Sequence, residues 1–139
     1  MNRTRILAIA AVAALGVSAH ASFEMLMVLD GTTKSVHRFD PNSGAYFGSF
    51  GAGWLTNPQA LVIDQNTSTA WVFDKVGVAN QPVLAFDYNT GDRKGGFKIN
   101  SDFGTPVQMA RASDGSFLLA GISVADRFNS NGALMNSFG

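Results

Sequence analysis

The sequence predicts an all-β fold built of repeated four-stranded antiparallel units, about three of them. Three observations point there. A strand-turn-strand phrase, Arg38-Phe39-Asp40-Pro41-Asn42-Ser43-Gly44 running on to Phe50-Gly51, returns as Phe86-Asp87-Tyr88-Asn89-Thr90-Gly91 running to Phe97. It returns again as Phe128-Asn129-Ser130-Asn131-Gly132 running to Phe138-Gly139. The copies lie 47 residues apart from Phe39 to Phe86 and 42 from Phe86 to Phe128, and Pro58 to Pro106 is 48. These periods match the roughly 40–50 residues of a β-propeller blade. Finally, no stretch after the N-terminal region places apolar residues three and four apart, while Gly, Asn, Ser and Asp punctuate the chain about every ten residues, which excludes helical repeats. An eight-stranded sandwich or barrel would explain the strand count but not the recurrence of the same four-strand phrase.

Taken in order, Met25-Leu26-Met27-Val28-Leu29 is a continuous apolar run closed by Asp30-Gly31, the mark of a strand covered on both faces. Lys34 to Phe39 alternates and leads into the first hairpin. There Asp40, Asn42 and Ser43 can bond turn amides, and Gly44 can take positive φ. Gly51 to Asn57 is a loop. Pro58 to Asp64 is a strand opening with proline, where a missing amide costs least. Thr69 to Asp74 then matches Met25 to Asp30, and Pro82 to Asp87 matches Val36 to Asp40. Pro106 to Arg111, Phe117 to Gly121 and Ile122 to Phe128 repeat the order. With strands lettered A to D, the chain runs B-C-D, A-B-C-D, A-B-C-D, with blades at about 25–51, 58–98 and 106–139. In the expected mature chain the first blade lacks its A strand.

Arg3 and Arg5 precede the apolar run Ile6 to Ala19, which ends in Ala19-His20-Ala21. This is the pattern of a secretory signal peptide over residues 1–21, cleaved after Ala21, with the repeat domain at 22–139. Fourteen residues fall short of the roughly 20 that span a bilayer, so no stable membrane span is expected. The expected location is periplasmic or secreted, in a bacterial setting. Losing Arg3 and Arg5 leaves eight basic against ten acidic side chains, formal net charge −2, and no basic patch for nucleic acid. There is no cysteine, so burial and sheet hydrogen bonds must hold the fold without disulfides.

Pro-x-x-Leu-Val-Ile-Asp at Pro58, Ala-Trp-Val-Phe-Asp at Ala70, and a valine-rich strand ending Phe-Asp-x-Asn-x-Gly at Phe86 together resemble the NHL-repeat propellers and the related six-bladed and YVTN-type propellers. The resemblance covers residues 25–139. It implies a ring, and three blades cannot close one. The open end is expected to expose apolar rows such as Leu26, Val28 and Val36, a surface prone to association. Either two chains pair as a homodimer into a six-bladed ring, or this is part of a longer propeller.

Propellers bind ligands over one end, at the loops joining D to A and B to C. Those loops gather Asp30, Lys34, Trp54, Asn57, Asp74, Lys75, Asn80, Asn100 and Asp102 on one rim. Asp30 and Asp74 serve equally well as turn caps at strand ends. Trp54, in a glycine-flanked loop, can stack on a sugar or peptide, or cap the core. Some relatives implied by the resemblance are metal-dependent lyases. Here the expected mature chain has one histidine, His37, a weak metal candidate because a zinc-type site needs three or four converging ligands. No nucleophile elbow, cysteine nucleophile or phosphate-binding glycine loop occurs, and no cofactor is expected. The function read from the sequence is an exported, non-catalytic module for a protein or glycan ligand. The alternative is a metal-assisted lyase or hydrolase, active only as an oligomer or within a longer chain.

Overall fold

A computed structural model of the protein describes residues 9–10, 24–75, 81–99 and 108–139. The expected leader lies outside the described residues except for positions 9 and 10, as do Asn80, Asn100, Asp102 and Pro106. The described residues are all-β, with no helix. Twelve strands make three four-stranded antiparallel sheets, each ordered as in the chain. The first holds β1 (Ile9–Ala10), β2 (Leu26–Asp30), β3 (Ser35–Phe39) and β4 (Tyr46–Phe50). The middle sheet holds β5 (Pro58–Asp64), β6 (Thr69–Asp74), β7 (Gln81–Asp87) and β8 (Arg93–Ile99), and the third β9 (Gln108–Arg111), β10 (Phe117–Ala120), β11 (Ala125–Phe128) and β12 (Leu134–Phe138). These open, unclosed sheets are consistent with a partial propeller-like fold.

The middle sheet explains its own composition. Side chains alternate across a strand, so Ala70, Val72, Leu84 and Phe86 join Met27, Leu29, Val36 and Phe50 of the first sheet in one core. Phe73, Val83 and Ile99, on the other face, join Met109, Phe117, Leu119 and Phe128 of the third. A sheet buried on both faces reads as continuous apolar sequence, which is why β6 is Thr-Ala-Trp-Val-Phe-Asp rather than alternating.

One expectation is corrected. Val36 is fully buried against the middle sheet: it pairs with Leu29 and shares that residue's face, so the outer face of the first sheet carries Leu26 and Val28 without it. In the uncleaved chain Ile9 and Ala10, within the expected leader, pair antiparallel with Leu29 and Val28, alongside β2 where an A strand would lie.

The three β-hairpin turns are built alike. In the first, the Asp40 carboxylate accepts the Asn42 and Ser43 amides, both at 2.8 Å. Asp87 accepts those of Asn89 and Thr90, and Asn129 those of Asn131 and Ala133. Gly44, Gly91 and Gly132 all take positive φ, at 72°, 87° and 82°. Each last strand then bulges at the same place, after Arg38, Ala85 and Arg127 of its partner.

Two of these glycines also make the joints between sheets. A Cβ on Gly91 would meet the Phe50 Cβ at 2.7 Å, and one on Gly132 would meet the Phe97 ring at 2.7 Å and the Lys98 carbonyl oxygen. Gly53 has a similar φ of +85° but nothing within 4 Å. Gly53→Ala should therefore cost only the left-handed penalty, about 1–2 kcal/mol, and Gly132→Ala clearly more than that, in urea unfolding of the two variants side by side.

Turn amides also hold Asp40 and Asp87 below the usual carboxylate range. A carboxyl depressed in the folded state contributes stability above its unfolded value that is lost as pH falls through the folded one. Acid unfolding should thus begin below about pH 4. Because Asn129 caps the third turn uncharged, Asp40→Asn with Asp87→Asn should keep the fold and flatten the pH dependence of the melting temperature there.

Candidate functional site

Loops β2–β3, β4–β5, β6–β7 and β10–β11 leave the sheets at the end opposite the hairpin turns. The rim residues that are described fall into three local arrangements. The first is a sealed joint. Asp74, at the end of β6, is fully buried, and its carboxylate accepts the Thr56 amide at 2.5 Å and the Asn57 amide at 2.9 Å. The Asn57 carbonyl accepts the Lys75 amide at 2.9 Å, and its side-chain oxygen accepts from Gln59 at 2.7 Å. Asp74 thus ties the β4–β5 loop to the head of the middle sheet, the turn-capping role open to such a residue. No solvent-facing oxygen is left for a ligand.

The second arrangement is a polar cluster on the outer face of the first sheet. Asp30 accepts the Thr32 amide at 2.7 Å and the Thr33 hydroxyl at 2.9 Å, and these bonds, with a smaller contribution from His37, hold its carboxyl below the usual range. Lys34 is exposed and takes φ 54° in this turn. The His37 Nε2 lies 3.0 Å from the Thr33 hydroxyl, 3.3 Å from that of Ser35 and 3.5 Å from the Asp30 carboxylate. Its Nδ1 lies 3.2 Å from the Tyr46 hydroxyl. Asp30 and the two short hydroxyls gather at Nε2 and the Tyr46 phenol at Nδ1, so both ring nitrogens of His37 have partners that orient the ring. Among the described residues no three of His, Cys, Asp and Glu are placed to hold a metal ion.

The third arrangement is Trp54. It is 56% exposed, yet its loop is fixed: the Gly51 carbonyl accepts the Trp54 amide at 2.9 Å and the Leu55 amide at 3.0 Å, and Leu55 beside it is buried in the core. The guanidinium of Arg93, from β8, lies 4.6 Å from the centre of the indole. Sequence reasoning found Trp54 from its glycine-flanked loop but not Arg93, whose approach depends on how the first and middle sheets stack. Trp71 is a core residue, edge-on to Phe117 with ring centres 4.9 Å apart.

Among solved structures, the chain is similar to hydrazine synthase from Kuenenia stuttgartiensis, with a TM-score of 0.59 at 16% identity, 81% of this chain matching 33% of that one. It is similar also to a protein of unknown function from Bacteroides caccae, with a TM-score of 0.59 at 15% identity, 82% of this chain matching 41% of that one. The chain therefore spans about a third to two fifths of these relatives, and at such identity the likeness concerns the fold alone. No family model matches the chain, and no curated protein does. No helix among the described residues is long and apolar enough to cross a membrane.

Removing the Asp74 carboxylate takes the acceptor from the Thr56 and Asn57 amides and leaves a gap where a fully buried side chain stood. Asp74→Ala should cost at least about 2 kcal/mol in denaturant unfolding, and Asp74→Asn, which keeps one acceptor, less.

Proposed function

We propose that this protein is an exported, non-catalytic β-propeller module of the NHL-like type that binds a protein or glycan outside the cytoplasm, with Trp54 as its principal contact. One observation carries the reading: a large aromatic ring stands in solvent on a loop whose backbone is pinned at Gly51, Leu55 and Thr56. Covering an exposed aromatic ring is favourable because apolar surface leaves water, and a rigid loop loses little entropy on binding, two properties of an affinity anchor. Arg93 adds a cation beside the ring that can pair with a carboxylate or hydroxyl of the ligand.

Export rests on Arg3, Arg5, the apolar run and Ala19-His20-Ala21. Cleavage after Ala21 would also remove Ile9–Ala10 and leave β2 as an edge strand. The competing reading, a metal-assisted lyase or hydrolase, would require His37 to leave Tyr46 and Thr33 for a metal.

Glycan-array and pull-down binding by the purified protein should fall at least 30-fold on Trp54→Ala and less on Arg93→Ala. Binding unchanged by Trp54→Ala would place the contact elsewhere. Metal that co-purifies with the protein and is lost on His37→Ala would instead support the lyase or hydrolase reading.

A further inference from the structure

Four arginines lie among the described residues, and three of them have acceptors within the protein. Arg38 donates to the carbonyls of Tyr88 and Asn89, Arg111 pairs with the Asp64 carboxylate, and Arg127 donates to Ser116 and Asp114. Arg93 differs. Its guanidinium lies 4.6 Å from the centre of the Trp54 ring, and no described residue accepts its N–H groups. The charges beside it in the chain are turned to other partners: Asp92 accepts the Thr90 hydroxyl at 2.8 Å, and Lys94 donates to the Thr67 carbonyl at 2.8 Å and lies 3.8 Å from Asp87. The indole N–H of Trp54 likewise has no acceptor among the described residues.

The pair is anchored from both sides of one interior contact. Arg93 is the partner of Phe86 across β7 and β8, and the Phe86 ring is fully buried between the first and middle sheets. Trp54 stands next to Leu55, which is buried in that same core. Both side chains therefore emerge beside the junction of these two sheets. The ring attracts the cation through the charge distribution of its face, which gives the guanidinium a fixed place without supplying an acceptor for its planar fork of N–H groups. A fork positioned in advance loses little freedom when a carboxylate arrives.

We infer that Trp54 and Arg93 form a subsite for the carboxylated sugar of an acidic glycan: a uronate residue packs its C–H face on the indole, its carboxylate accepts two N–H groups of Arg93, and the indole N–H is free to donate to a sugar hydroxyl. This rests on the reading of Trp54 as the principal contact and narrows its ligand to one class. The cation without a carboxylate partner calls for an anion, and a planar fork fits a carboxylate with two parallel hydrogen bonds. The exposed ring calls for apolar surface close beside that anion. A uronate supplies both in a single residue, because its carboxyl carbon is bonded directly to the pyranose ring. An acidic peptide is less well matched. Protein interfaces are built around a cluster of buried anchors, and the chain neighbours Ala52, Gly53, Asp92 and Lys94 offer no large apolar side chain to extend the contact.

Isothermal titration of the full chain with oligomers of galacturonate, glucuronate and mannuronate, each as the free acid and as its methyl ester, tests this. At least one acid should bind about 10-fold or more tightly than its ester, with an affinity that falls as salt is added. Arg93→Gln should abolish the preference for the acid and leave the weaker affinity for the ester, Arg93→Lys should restore it in part, and Trp54→Ala should weaken both forms. Circular dichroism melts confirm that the variants remain folded. Equal affinity for acid and ester, no binding of any oligouronate, or a preference that survives Arg93→Gln overturns the inference. An octa-aspartate peptide that binds through Arg93 more tightly than every oligouronate overturns the choice of a glycan. Binding of a neutral glycan or a protein that is lost on Trp54→Ala, with no preference for carboxylates, overturns this inference and leaves the Trp54 reading standing; a carboxylate preference indifferent to Trp54→Ala overturns both.

Discussion

Everything in this fold depends on burying both faces of the middle sheet. Ala70, Val72 and Phe86 face one neighbour, Phe73, Val83 and Ile99 the other. With no disulfide to close the chain, apolar burial is the force that fixes the order of the sheets. That burial also dictates the turns. The middle and third sheets approach their neighbours so closely that the turn must present a glycine, so Gly91 and Gly132 satisfy two demands at once: positive φ for the hairpin and no Cβ for the joint. Sequence repetition is here the record of a contact repetition.

What could be read from the sequence is what is local. A hairpin turn is fixed by the few side chains within it, so Asp40, Asp87 and Asn129 with their glycines announced three equivalent turns before any packing was known. Strand phase is less legible where both faces are apolar. From Met25 to Leu29 the sequence is apolar in succession, and alternation alone does not say which residue faces inward; the pairing of Val36 with Leu29 decides it. Ile9–Ala10 was hidden for a different reason. Two residues inside an apolar run flanked by arginines carry the signature of a leader, and nothing in their own chemistry distinguishes a strand.

The rim shows how position and role separate. Asp30 and Asp74 end equivalent strands and read alike in sequence. Asp74 is covered by the β4–β5 loop and bonds its amides, so it is fully buried. Asp30 caps its own turn and draws in His37. The difference comes from whether a loop of the chain passes over the strand end, a property of tertiary arrangement that no residue pattern reports. The same holds for Arg38 and Arg111. Arg38 bonds carbonyls of the middle sheet, and Arg111 pairs with Asp64 there and lies 5.5 Å from the Trp71 ring centre. Neither charge could be assigned to a joint from sequence spacing.

These assignments change which polar groups remain for recognition. In a protein with few charges, stacking the sheets consumes most of the groups that can hydrogen-bond: aspartates cap turns, arginines bridge sheets, and His37 is boxed by hydroxyls and a phenol. Trp54 differs, because its backbone supplies the structural bond to Gly51 while its side chain stays outside the core, exposed and stacked by Arg93. Separation of the two duties within one residue lets a rigid fold present an aromatic ring at no cost to its core.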